Sequence, residues 1–189
     1  GLQVAKGLQA ALQAGLIHRD IKPGGLLFAD RTRAKIVDFG LARGQSDGPE
    51  TGADGKPVQE EQIWGTPYYI APEKLRGQPD DFRSDVYSLG ATLFHALAGR
   101  PPFDAETADE IVSKQASQPA FSLKTYTPTV QEYTAHAIAR MLAKNPAERY
   151  NSYDELIRDL HEAKAILNVA QTVPGPVAPS GKRVSIISI

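Results

Sequence analysis

A chain of 189 residues with 41% hydrophobic and 23% charged content has the size and composition of one soluble domain with a substantial core, or of one large lobe with a tail. Its formal net charge of −1 gives no electrostatic case for nucleic acid or an anionic membrane as a partner. The sequence has no cysteine, which excludes disulfides, thiolate zinc sites and cysteine nucleophiles.

Residue 1 is Gly and the only methionine is Met141, so the chain is expected to be processed or a piece of a longer protein. Nothing at its start reads as a signal peptide. Leu2, Ala5, Leu8 and Leu12 recur at helical spacing and Gly15 follows as a C-terminal cap. After a loop from Leu16 to Gly25, the short apolar runs Leu26–Phe28 and Lys35–Val37 flank the turn-prone Asp30–Arg33 and predict a small hairpin. From Leu41 to Gln62 the chain is rich in Gly, Asp, Glu, Gln and Pro, the composition of a mobile surface loop.

Phe82 to Ala98 is apolar on nearly every face and is closed by Gly99 and Pro101-Pro102, which predicts a helix at the centre of the domain. Glu106–Ala116 is a weaker helical stretch, and Val130–Ala143 is a further helix stopped by Asn145-Pro146. Ser152 with Glu155 forms a capping box that opens a helix through Leu156, Leu160 and Ala163. His95, His136 and His161 fall on helices without ligand spacing and read as packing or surface residues. Residues 168–183 read as a Pro- and Gly-rich linker. Residues 184–189 are apolar behind Lys182-Arg183 and read either as an apolar tail or as the first turns of a membrane helix with its basic anchor. No stretch of the chain reaches the roughly 18–20 apolar residues of a membrane span.

Three polar signatures carry the chemistry. His18-Arg19-Asp20-Ile21-Lys22-Pro23 lies in the first loop, Asp38-Phe39-Gly40 follows the hairpin, and Gly65-Thr66-Pro67-Tyr68-Tyr69-Ile70-Ala71-Pro72-Glu73 follows the polar loop. Asp-Phe-Gly alone could be an ordinary turn, but three signatures in this order are specific. The sequence resembles the eukaryotic-type Ser/Thr protein kinase family over residues 1–167. Asp85-Val86-Tyr87-Ser88-Leu89-Gly90 and Asn145-Pro146 with Arg149 extend the match. The resemblance implies an α+β protein-kinase fold, seen here as its mainly helical C-terminal lobe with a small β-hairpin. The Ile-Lys-Pro loop, Gly99–Phe103 and the Pro-rich tail resemble bacterial members, in which a linker often leads to a membrane helix and an external sensor. The implied location is cytoplasmic, with membrane tethering only through sequence beyond residue 189.

The resemblance assigns roles residue by residue. Asp20 would orient the substrate hydroxyl and accept its proton, and Lys22 would stabilise the transferred phosphoryl group. Thr66 would bridge Asp20 and Lys22, which with Lys22 implies Ser/Thr specificity; otherwise it is a phosphosite or a plain loop threonine. Asp38 would coordinate Mg²⁺ on the phosphates of ATP, with Gly40 giving its turn backbone freedom. Glu73 and Arg149 would form a buried ion pair, Asp85 would anchor the catalytic-loop backbone, and His18 would pack without titrating. Arg19 could receive a phosphate from Thr51 or Ser46. The implied partners are ATP, a protein substrate and an N-terminal lobe, and not nucleic acid.

Two departures weigh against activity. Gly25 stands where the family has an asparagine that ligates a second Mg²⁺ and braces the loop, and it offers no side chain. No Gly-rich loop or strand lysine precedes His18, so residues 1–189 alone are expected to bind ATP feebly and transfer no phosphate. An enzyme and a pseudokinase scaffold both remain open: Gly25 favours the second, and Asp20, Lys22, Asp38 and Thr66 favour the first.

Overall fold

The computed structural model describes residues 1–30, 33–39, 42–44 and 67–172, with 168–172 described as backbone only. Seven α-helices, two single 3-10 turns and two short antiparallel strand pairs occupy these residues. The first helix, α1, runs Leu2–Gln13 and buries Val4, Ala5 and Leu8, the stripe its apolar spacing predicts. The expected hairpin is present as β2 (Leu26–Phe28) and β3 (Ala34–Ile36), with Leu27 opposite Lys35.

A second strand pair falls where only loop was expected: β1, Leu16–Ile17, lies antiparallel to β4, Arg43–Gly44. Two-residue strands carry no alternation, and Arg43–Gly44 sits at the head of a polar stretch. The expected mobile loop otherwise lies outside the described residues, as do Gly40, Ser46, Thr51 and Thr66.

Helix α3, Phe82–Ala98, is central. Asp81 caps its start by accepting the Arg83 N–H at 2.8 Å, and Gly99 ends it with φ 72°, a left-handed conformation that costs glycine little. One side of α3 sends Val86 and Leu89 into a core with Leu8, Met141, Tyr153 and Leu156. The other sends Tyr87, Ala91 and Phe94 into a second core with Ala71, Leu123 and Ile138. Both flanks are therefore packed. At Gly90 the helices close up: an added Cβ would stand 2.6 Å from Met141 Cβ.

Short α2 (Pro72–Leu75) and α5 (Leu123–Tyr126) accompany α4 (Ala108–Ser117), α6 (Glu132–Met141) and α7 (Tyr153–Thr172). Ser152 Oγ accepts the Glu155 N–H at 3.2 Å, and Glu155 in return accepts the Asn151 N–H at 2.9 Å, so the cap closes one residue earlier than a simple box. The linker boundary expected at residue 168 falls inside α7. Neither proline nor glycine occurs from Asn168 to Thr172, and Pro174 is the first breaker. No helix among the described residues is long and apolar enough to cross a membrane.

Candidate active site

The loop after β1 is fixed through its backbone. The Asp85 carboxylate, in the first turn of α3, accepts the N–H groups of His18 at 2.8 Å and Arg19 at 2.7 Å. Burial pushes the Asp85 carboxyl up to about 6, against the two backbone hydrogen bonds and the Lys74 charge. Arg19 has φ 69°, a left-handed conformation costly for a residue with a Cβ. Lys74 Nζ donates to the Arg19 carbonyl at 3.0 Å, and the guanidinium makes a two-point pair with Asp80 at 2.8 and 3.1 Å. Arg19 is thus held by its amide, its carbonyl and its side chain.

On that loop, Lys22 Nζ lies 2.6 Å from Asp20 Oδ2. Buried His18 accepts the Asp20 N–H at Nδ1, 3.3 Å away, and packs edge-on against Phe39 with ring centres 4.5 Å apart. Burial lowers the imidazole pKa, opposed by the Asp20 charge, the Val37 backbone and the Asp38 charge, in that order. Asp20 and Asp38 therefore act on the same ring from separate segments. Among the described non-glycine residues only Asp38, with φ 68°, shares the positive φ of Arg19. Gly25 donates to the Lys22 carbonyl at 3.0 Å and accepts the Val37 N–H at 2.9 Å, which joins the His18–Lys22 loop to the strand leading into Asp38.

Glu73 and Arg149 meet as a buried two-point pair, Nη1 to Oε1 at 2.7 Å and Nη2 to Oε2 at 2.8 Å. Burial works to raise the Glu73 pKa, but the Arg149 hydrogen bonds and charge, with Ser84 Oγ donating at 2.8 Å, leave it below the ordinary glutamate range. Sequence reasoning missed Lys74, Asp80 and Ser84. It also missed a hydrogen-bonded set of Tyr87, Gln115 and Lys144 that ends on the Pro67 carbonyl. The adjacent acids Asp80-Asp81 were the one visible hint, a helix cap with a spare carboxylate. A cavity of about 340 Å³ lies elsewhere, lined by residues such as Gly1, Leu93, Leu97 and Leu160, and includes none of the groups above.

A buried helix that anchors a polar loop, a loop carboxylate beside a lysine, and a second carboxylate from the following strand turn define the helical lobe of a protein kinase. The protein kinase domain profile matches residues 1–162, and the chain belongs to that family. It is 31% identical to a probable serine/threonine-protein kinase PknB of Corynebacterium glutamicum, over 97% of this chain and 30% of that protein. It is 35% identical to the serine/threonine-protein kinase PknB of Mycolicibacterium smegmatis, over 85% of this chain and 25% of that protein. A 34% identity to the serine/threonine-protein kinase PknA of Mycobacterium tuberculosis covers 94% of this chain and 40% of that one. The chain thus spans well under half the length of these relatives.

Proposed function

We propose that this chain is the catalytic lobe of a cytoplasmic Ser/Thr protein kinase, transferring the γ-phosphoryl group of ATP to Ser or Thr hydroxyls of a protein. The observation that carries the reading is the Asp20–Lys22 pair at 2.6 Å, on a loop whose backbone is tied to buried Asp85. Asp20 Oδ2 is engaged by Lys22, which leaves Oδ1 to orient the substrate hydroxyl and take its proton as the new O–P bond forms. The bond from phosphorus to the departing ADP oxygen breaks in the same displacement. The Lys22 ammonium offsets negative charge gathering on the transferred group.

Mg²⁺ suits the donor set, because it needs only one or two carboxylates beside water and phosphate oxygens. Among the described residues no three His, Asp or Glu side chains gather into a metal site, while exposed Asp38 offers one carboxylate. When bound, the ion would supply charge neutralisation at the phosphates, and Asp38 is the residue that would hold it. Gly25 contributes no side chain and favours the pseudokinase alternative.

The test is label transfer from γ-³²P-ATP to a basic protein by the full-length kinase. Label on Ser and Thr is expected, with a fall of about 10²- to 10⁴-fold in Asp20→Asn. Mg²⁺-dependent nucleotide binding without transfer would establish the scaffold instead. Transfer undiminished in Asp20→Asn would remove Asp20 from the chemistry.

A further inference from the structure

The roles above leave a second buried polar group unused. Lys144, just after α6, directs Nζ to the Gln115 backbone carbonyl at 2.7 Å and to Tyr87 Oη at 3.1 Å. It also lies 3.8 Å from the centre of the Phe103 ring. Tyr87 Oη donates to Gln115 Oε1 at 2.5 Å, and Gln115 Nε2 donates to the Pro67 carbonyl at 3.1 Å. Tyr87 and Gln115 have no exposed surface, so water does not compete for these bonds.

The chemistry of the groups fixes the direction of every bond. The Pro67 carbonyl can only accept, which turns the Gln115 NH₂ toward it and Oε1 toward Tyr87. The Tyr87 proton therefore goes to Oε1, and its oxygen accepts from Lys144 Nζ whether that amine, its pKa drawn down to about 7 by burial, is charged or neutral. Aligned donors polarise one another, and the alignment begins at the Lys144 amine. Its far end is a backbone carbonyl, the only main-chain hydrogen-bonding handle that a proline offers. The Pro67 carbonyl also receives the Ile70 N–H, but at 3.5 Å. Pro67 directly follows Thr66, in the segment that leads to Glu73.

We propose that Lys144, Tyr87 and Gln115 form a one-way donor chain that positions the Pro67–Glu73 segment through the Pro67 carbonyl, with Lys144 and Gln115 acting as positioning residues for the protein substrate. The functional half rests on the kinase reading above; the structural half does not. Three different elements supply the chain: the loop after α6, the buried face of α3, and the last turn of α4. Each thereby bears on one carbonyl, that of the residue after Thr66. The residues make no contact with Asp20, Lys22 or Asp38 among the bonds described, so their effect on turnover is through the loop.

The test compares Gln115→Leu, Lys144→Met and Lys144→Arg in the full-length protein, with Tyr87→Phe as a milder variant should either of the first two fail to fold. Amide hydrogen exchange at Tyr68–Ala71 is the first readout, and initial rates against a Ser/Thr peptide are the second. Loss of the bond to Pro67 in Gln115→Leu should speed exchange at 68–71 by about 5- to 10-fold while Val86–Leu89 in α3 stay protected. The KM for peptide should rise with the KM for ATP unchanged. Lys144→Met should move the same readouts in the same direction, and Lys144→Arg, which keeps the donors, should restore them. Exchange at 68–71 that stays unchanged, or rises only together with α3, overturns the proposal. A wild-type protein that transfers no phosphate would strike the kinase reading, and the exchange result would still decide whether the chain holds Pro67.

Discussion

Replacing Glu73 with Ala leaves the Arg149 guanidinium fully buried without its counter-ion. The remaining partners are three carbonyls, of Ala143 at 2.8 Å, Arg83 at 2.9 Å and Lys144 at 3.4 Å, with the Tyr87 ring centre 4.9 Å away. Dipoles of this kind compensate a cation only in part. Removing one partner of a buried pair costs about 3–5 kcal/mol, a large share of the ~5–15 kcal/mol that holds a domain folded. With a urea m-value of about 2 kcal/mol/M, the kinase-domain midpoint should fall by about 1.5–2.5 M. The double variant Glu73→Leu/Arg149→Met removes both charges and should lie within about 1–2 kcal/mol of wild type. The double would then be more stable than Glu73→Ala.

The same pair sets an acid limit. Glu73 has its folded pKa held below the ordinary 4.5, so its contribution is complete above that value and is lost as pH falls through the lower folded pKa. Wild type should therefore lose stability below pH 4.5 more steeply than the Leu/Met double variant. A midpoint shift under about 0.5 M in Glu73→Ala, or a double variant no better than the single, would refute the reasoning from burial and unpaired charge.

Two further substitutions test close contacts at glycine. At Gly25 an added Cβ would meet the Val37 carbonyl at 3.4 Å and the Asp20 carbonyl at 4.0 Å, ordinary contacts, so Gly25→Asn should fold normally. If that position limits metal binding, the variant should raise transfer at low Mg²⁺ by about 5- to 150-fold, read as initial rate against Mg²⁺ concentration; no gain would mean a second side-chain ligand is not limiting. Gly90→Ala places its methyl 2.6 Å from Met141 Cβ and should cost about 1–3 kcal/mol in urea unfolding through overpacking. A neutral result would mean that α3 and α6 separate easily.

What was legible in the sequence divides along physical lines. Phe82–Ala98 was readable end to end because its apolar residues run through seventeen positions and stop at a left-handed glycine. Strand β1 and helix α5 were not, because two strand residues or one helical turn carry no period. Asp20, Lys22, Asp38, Glu73, Asp85 and Arg149 were legible as members of motifs. Asp80, Lys74 and Gln115 were not, because Asp80 acts on a side chain 61 residues away, and Lys74 and Gln115 act on backbone carbonyls 55 and 48 residues away. Their meaning depends on shape, such as the left-handed Arg19, and no local pattern encodes it.

The early turns of α3 unite these long-range bonds. Successive residues on a helix point about 100° apart, so neighbours in sequence address different surroundings. Ser84 reaches Glu73, Asp85 reaches the amides of His18 and Arg19, and Tyr87 reaches Gln115. Val86 and Leu89 meanwhile enter one core and Ala91 the other. A helix exposed on one side could not do this, because at least one of those directions would be water. In the sequence, the lack of a polar face marks Phe82–Ala98 as a central helix. The structure gives that burial a second consequence: three polar side chains inside it set the His18–Arg19 backbone, the Glu73 segment and the α4 contact to Pro67 from one helix. Left-handed Arg19 costs about 1–3 kcal/mol and is tolerable because Asp85, Lys74 and Asp80 hold its amide, carbonyl and guanidinium.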